Sequence, residues 1–480
     1  MPPDADLTRR RFLLASLAAA LAACADRIDP TPRPGPTSSA TAVAPAPTRS
    51  PAAPSEVAAV PSPTATPPPS SAPVPNPDPP ATRRLYRDGA LADGRSDRLE
   101  LGVSIYVEDG VIRWIRPSDG EEDPGPRRGL EMIDASGATF VPGMVDAHSH
   151  LTMPGGAHWI ERGLDSPAAA QRVAERNARL LTSAGVRWAR DVGAPRGVDP
   201  EDGRERALSL GIRDRWAEGG HRQFPHIRAA GTWLTRTGSL PAGLAIEASN
   251  ADALLAAAER QLEEGADLVK LYLDGPDAAT APWSAAEVRR VVRMAHDRDA
   301  RVTAHAGRLA GARAAVAGGV DAVEHGYELD ADLAADMARR GTFLVSTLAV
   351  FRSWLTFGRT TRLGTFRGGG ASAIRGRLEA AERSIAIAAR AGVPIAAGTD
   401  FGGGSLRANQ LAWEVEALVA AGLEPFEALA AATRTGGALL GERNAGVIRE
   451  GGPADFFLVH GDPLQNPRVL WRVWRVDWAD

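Results

Sequence analysis

The 480-residue chain holds a single cysteine, Cys24. One thiol forms no internal disulfide and builds no cysteine metal site. No apolar run reaches the ~20 residues that a bilayer-spanning helix needs. Neither charge dominates: the formal net charge is −4 and the chain has no long basic run, so nothing marks a nucleic-acid surface. No Gly-x-Gly-x-x-Gly follows the first strand of the main domain, which argues against a dinucleotide site.

The N-terminal segment is read as a leader. In "TRRRFLLASLAAALAAC" paired arginines precede an apolar stretch from Phe12 to Ala23, about half a membrane span and the size of a signal h-region. Thr8 to Leu13 resembles a twin-arginine export signal. Leu21-Ala22-Ala23-Cys24 resembles a lipobox, which implies lipidation at Cys24, a membrane anchor and an extracytoplasmic location. Residues 1–24 are therefore expected to be a signal peptide. Residues 25–83 are Pro, Ala, Ser and Thr in low-complexity order, too poor in apolar surface to offset ordering entropy. As extended polyproline this linker would reach on the order of 180 Å at ~3.1 Å per residue.

From Arg84 the composition changes. Val103–Val107 and Val111–Ile115 flank Asp109-Gly110, a hairpin signal, and "EMIDASGATFVPG" reads as a further strand pair. Residues 84–141 thus predict part of a small β-domain, completed by residues 446–480. Between them, residues 142–445 alternate short apolar runs with segments of helical period. The runs are "FVPGMVDAHSH", "VRWARDVG", "HIRAAG", "DLVKLYLDG", "RVTAHAG", "VDAVEHG", "TFLVST" and "VPIAAGTDFGG". Apolar strands alternating with helices imply a covered parallel sheet. Eight units in this length predict an α/β fold, a (β/α)8 TIM barrel, with a small β-sandwich domain from both ends of the chain.

Polar residues close these strands. Strand one ends in His148 and His150, two apart and so on one face. Strand four carries Lys270, strand five ends in His305, strand six in His325 and strand eight in Asp400. In a parallel barrel such ends converge at one mouth. Each alone has an ordinary structural reading, as a half-buried histidine, a boundary lysine or a turn aspartate. Together they point to a metal site.

The pattern resembles the amidohydrolase superfamily, its two-metal carboxylated-lysine branch, and within it the Xaa-Pro dipeptidase and imidazolonepropionase-like group. The resemblance runs over about 84–480 and rests on "IDASGATFVPGMVDAHSH", "GADLVKLYLDG", "VEHG", "AAGTD" and "GVIREGGPADFFLV". It implies that His148, His150 and Asp400 bind one divalent ion and His305 and His325 a second. Lys270 would bridge both as a CO2-derived carbamate. Zn2+ suits such ligands. It further implies hydrolysis of an amide-type bond, in a dipeptide or cyclic amide, with Asp400 moving the proton. The partner is a small-molecule substrate; a homo-oligomer is compatible with the sequence.

One departure concerns the stretch after strand three, "LTRTGSLPAG", which lacks a histidine that many relatives carry. Arg236 within it and Tyr272, two after Lys270, are candidate substrate contacts. Asp191 either orients a ligand histidine or caps the next helix. His158, His221 and His226 are read as structural or exposed. The Gly-rich stretch 348–375 is a candidate lid. Two other readings remain: a mononuclear metal-dependent deaminase, which would not need Lys270, and a non-catalytic lipid-anchored binding protein, which need not keep all six residues.

Overall fold

The computed structural model describes residues 83–156, 159–218, 223–240, 243–358, 370–404 and 406–479. The leader with Cys24, nearly all of the linker, His158, His221 and residues 359–369 lie outside the described residues. Among the described residues no helix is long and apolar enough to cross a membrane.

The first five strands are β1 (Arg83–Leu91), β2 (Glu100–Glu108), β3 (Val111–Pro117), β4 (Leu130–Asp134) and β5 (Ala138–Pro142). Asp109 and Gly110 turn β2 into β3 with positive φ at both positions, as a tight hairpin requires. β4 and β5 do not pair with each other. β4 runs parallel to the first half of β1 and β5 parallel to its end. The tail adds β18 (Phe456–His460) and β19 (Val473–Asp477), with β18 antiparallel to β5. The hydrogen bonds join the seven strands into one sheet, ordered β19-β18-β5-β1-β2-β3 with β4 on β1. Tyr86, Phe140 and Phe456 meet edge to face in its core, a favoured aromatic geometry.

Eight parallel strands carry the main domain: β6 (Met144–Ser149), β7 (Val186–Asp191), β10 (His226–Ala229), β13 (Leu268–Tyr272), β14 (Arg301–Ala306), β15 (Ala322–His325), β16 (Phe343–Ser346) and β17 (Ile395–Ala397). They coincide with the eight apolar runs. Two short pairs not foreseen from the sequence lie between them: β8 (Arg196–Val198) with β9 (Glu205–Ala207), and β11 (Leu234–Arg236) with β12 (Ile246–Ala248). β6, β7 and β10 form one ladder and β13 to β17 another. Between the ladders Asp267 N donates to Ala229 O at 2.9 Å, and Asp400 N to His148 O at 2.8 Å. The domain is therefore TIM-barrel-like, with parallel strands and covering helices.

The helices form for local reasons. In Ala285–His296, Ser284 and Glu287 make a reciprocal capping box, and Val288, Val291, Val292 and Ala295 bury one face; the box satisfies two amides that the first turn leaves unpaired. The stretch after β16 is less of a loop than its glycines suggested. Leu348–Gly358 and Gly370–Ala391 are helices, because Val350, Phe351 and Trp354 recur at helical spacing.

Candidate metal centre

β6 delivers two imidazoles to the same place. His148 Nε2 lies 3.4 Å and His150 Nε2 3.2 Å from Asp400 Oδ1, and one ligand atom from each residue falls within 4.8 Å of the others. The cluster continues through ring contacts. His148 and His325 have centroids 4.7 Å apart, and His325 and His305 4.5 Å. Four of the predicted residues are thus one chain of imidazoles, His150–His148–His325–His305.

Each ring has one nitrogen already engaged. His148 Nδ1 meets Glu324 Oε2 at 2.7 Å, His150 Nδ1 meets Gly193 O at 2.9 Å, and His325 Nδ1 meets Thr347 Oγ1 at 2.8 Å. His305 is the reverse, with Nε2 3.2 Å from Asp274 Oδ2. A ligand histidine is commonly fixed this way, its second nitrogen held by a carboxylate or carbonyl. The nitrogens left for a cation are Nε2 of His148, His150 and His325, and Nδ1 of His305.

Lys270 is buried in β13, and its Nζ has no hydrogen-bond partner among the described residues. Burial lowers its pKa to about 8, with Glu324 pulling upward and Arg190 downward. Burial also lowers His148, and it lowers His325 well below the usual imidazole value, with His305 and His148 adding to the effect. Burial alone would raise Asp400, yet His148 and His150 hold it well below the carboxylate range. Two imidazoles that burial keeps neutral, His148 and His325, an ionised carboxylate and an amine near the loss of its proton make a donor set for cations. Space is kept beside it, since a Cβ at Gly403 would stand 2.7 Å from Asp400 Oδ1 and 2.9 Å from His150 Cδ2. These features fit divalent ions.

Two residues at the site have backbone strain. His325 has φ 74° and Asp400 φ 54°, left-handed values uncommon outside glycine. Among the described residues the three other such positions are aspartates, a residue type that tolerates this region. His325 follows Glu324 directly. In a regular strand the two would face opposite ways, but both reach the cluster.

Glu324 and Asp274 were not foreseen. Glu324 is fully buried and is shared by His148, Arg190 and Thr303. Burial would raise its carboxyl, but Arg190, Lys270 and His148 hold it well below the usual value. The only sequence signal was an acid beside His325 within an apolar run. Asp191 accepts from Leu151 N at 2.7 Å and Gly193 N at 3.2 Å. It braces the loop whose carbonyl holds His150 and does not bond the imidazole itself.

Tyr272 stacks flat on His305, 4.1 Å between centroids and 9° between planes. Arg236 lies 4.8 Å over Trp283 and donates to Pro282 O at 2.8 Å, on the wall of a groove with Arg313 and Leu309. Nothing in these contacts joins it to the histidines. His226 opens β10 with its ring 4.5 Å from Trp188, at the strand end opposite the cluster.

Comparison with known proteins agrees with this geometry. The profile of the Amidohydrolase family matches residues 139–476. An uncharacterised protein of Mycobacterium tuberculosis is 31% identical over 78% of this chain and 93% of its own. The ochratoxinase of Aspergillus niger is 27% identical over 51% of this chain and 52% of its own. A solved Xaa-Pro dipeptidase with bound methionine shares the fold at TM-score 0.70 and 24% identity, covering 83% of this chain and 98% of that one. The chain belongs to the amidohydrolase family, as an enzyme that hydrolyses carbon–nitrogen bonds.

Proposed function

We propose that this protein is a metal-dependent hydrolase of an amide-type bond, in a dipeptide, an N-acyl amino acid or a cyclic amide. The observation that carries the reading is the gathering of four imidazoles and Asp400 in one cluster, with the buried, partnerless Nζ of Lys270 near enough to act on His148 and Glu324. His148, His150 and Asp400 would hold one divalent ion, His305 and His325 another, and Lys270 both. Its neutral amine adds to CO2, forming an N–C bond and releasing a proton, and the resulting carbamate offers two oxygens. When bound, such ions supply a water of lowered pKa and a Lewis acid for the carbonyl oxygen. Zn2+ suits the nitrogen and oxygen donors.

Asp400 takes a proton from the attacking water and returns it to the leaving nitrogen. The products are a carboxylate and an amine. Glu324 keeps the proton of His148 on Nδ1. The Xaa-Pro dipeptidase, whose name denotes cleavage of a dipeptide, supports the substrate class. The same reading takes the frame as a closed (β/α)8 barrel with a β-sandwich from both chain ends. The hydrogen bonds across both seams of the parallel strands support it.

The N-terminal segment supports a lipid anchor at Cys24 and an extracytoplasmic location. Labelling cells with an alkyne fatty acid tests this, and Cys24→Ala should abolish the label. The central test is elemental analysis of active protein together with a screen against dipeptides, N-acyl amino acids, lactams, lactones and phosphotriesters. Two ions per chain and cleavage of an amide support the reading. One ion and release of ammonia would favour the mononuclear deaminase. A preparation active without transition elements would sink both.

A further inference from the structure

We infer that the mouth of this centre is a specificity pocket for an amide bearing an aromatic group beside the scissile bond, an inference that rests on the hydrolase reading above. Only 4 tyrosines occur in the chain. Two of them, Tyr272 and Tyr327, stand on the cluster: Tyr272 on His305 at 4.1 Å, and Tyr327 beside His325 at 5.3 Å. Tyr327 leads to Phe351 at 4.7 Å, and Phe351 to Trp354 at 5.8 Å.

The arc then returns to the centre. A Cβ on Gly404 would lie 3.6 Å from Trp354 Nε1 and 3.5 Å from Val350, and Gly404 is four residues past Asp400. On the far side Trp233 packs on His150 at 5.0 Å. Every terminal imidazole of the chain thus has an aromatic neighbour. Tyr272, Tyr327 and Trp354 are half-buried.

The arc is also uncharged where the helix Leu348–Gly358 contributes. Arg352, between the two rings of that helix, is drawn off to Glu382 at 2.9 Å. Rings with centroids about 4.5–7 Å apart attract one another in offset or edge-to-face contact, and ligand pockets are lined mainly by apolar and aromatic side chains with a few polar groups. The scissile bond is met at the centre and the substrate's ring at Tyr327 and Trp354, with Phe351, only 3% exposed, packed behind them.

The test uses full-length protein supplied with Zn2+ and pairs of substrates differing only in a phenylalanyl or an alanyl group, as N-acetyl amino acids and as glycyl dipeptides. The expected kcat/KM ratio favours phenylalanyl by about tenfold or more. Trp354→Ala and Phe351→Leu should bring that ratio towards one, while Trp354→Phe should keep it. Melting curves show that each variant is folded. Calorimetry on Asp400→Asn reads binding of the same compounds without turnover. Equal rates in the wild type, or a ratio untouched by both truncations, overturns the pocket and leaves the hydrolase reading in place. Selective binding of the phenylalanyl compounds, lost in Trp354→Ala, with no amide cleaved, upholds the pocket and overturns the hydrolase reading. No discrimination in rate or binding overturns the inference.

Discussion

Glu324 Oε2 lies 2.7 Å from Nδ1 of His148, and both side chains are closed to solvent. The other carboxylate oxygen takes Arg190, whose Nε is bound to Ala147 O at 2.6 Å. A carboxylate so placed fixes the imidazole's tautomer and turns Nε2 towards Asp400. The pair explains why an acid sits one residue before His325 within an apolar strand.

Glu324→Gln should therefore lower metal affinity about 10- to 100-fold, read by competition with a chromophoric chelator. The same change leaves Arg190 buried with no anionic partner. Losing one member of a buried pair costs about 3–5 kcal/mol, so denaturant unfolding should shift as well. Wild-type metal affinity in a folded Glu324→Gln protein would count against the positioning role.

The metal-free protein should become more stable as alkali is added. Lys270 titrates at about 8 when folded and near 10.5 when not. The unfolded chain then holds more protons between these values, so stability rises with pH across that window. Below about pH 8 the full penalty of burying the amine applies, on the order of 3 kcal/mol. Urea unfolding in the presence of a chelator measures it. Lys270→Met should be the more stable protein at pH 7 and should lack the rise; an identical rise in both would show that another group causes it.

Gly403→Ala should damage turnover more than folding. Its Cβ would meet Asp400 Oδ1 at 2.7 Å and His150 Cδ2 at 2.9 Å, and Gly403 itself has no positive φ. Displacing reacting groups by about 1 Å costs roughly a hundredfold in rate. A kcat loss of that size with a melting temperature close to wild type is the expected result. Unchanged kcat would place the loop away from the reacting groups.

Asp400→Asn should lose about 10²- to 10⁴-fold in kcat, with little change in KM. Steady-state kinetics on a substrate found by the screen checks the split. A variant that binds poorly but turns over normally would assign Asp400 to binding instead of proton transfer.

Much of the site could be read from the strand ends, because each residue there occupies a position whose direction the backbone dictates. His148 near the end of β6 and His150 just past it are two apart and meet at one place. Lys270 and Tyr272 repeat the relation on β13. Glu324 broke the rule, since strand alternation sends it away from His325. The left-handed φ of His325 restores it to the cluster, and no residue type announces that bend. Asp274 was hidden for a related reason: it lies beyond the last residue of β13, where direction is set by packing. The small β-unit shows the same limit. Its strands were visible, but the splitting of β1 between β4 and β5 was not, since it is set by which strands meet across the sheet.

The sequence alone determined the alternation of apolar strands and helices, and with it the convergence of histidines, a lysine and an aspartate at one mouth. These follow from local periodicity, which needs only neighbouring residues. Tertiary structure decided which nitrogen of each imidazole is free, which carboxylates hold the rings, and which aromatics surround them. Those depend on contacts between side chains as far apart in sequence as Glu324 and His148, and such contacts exist only once the chain has closed on itself.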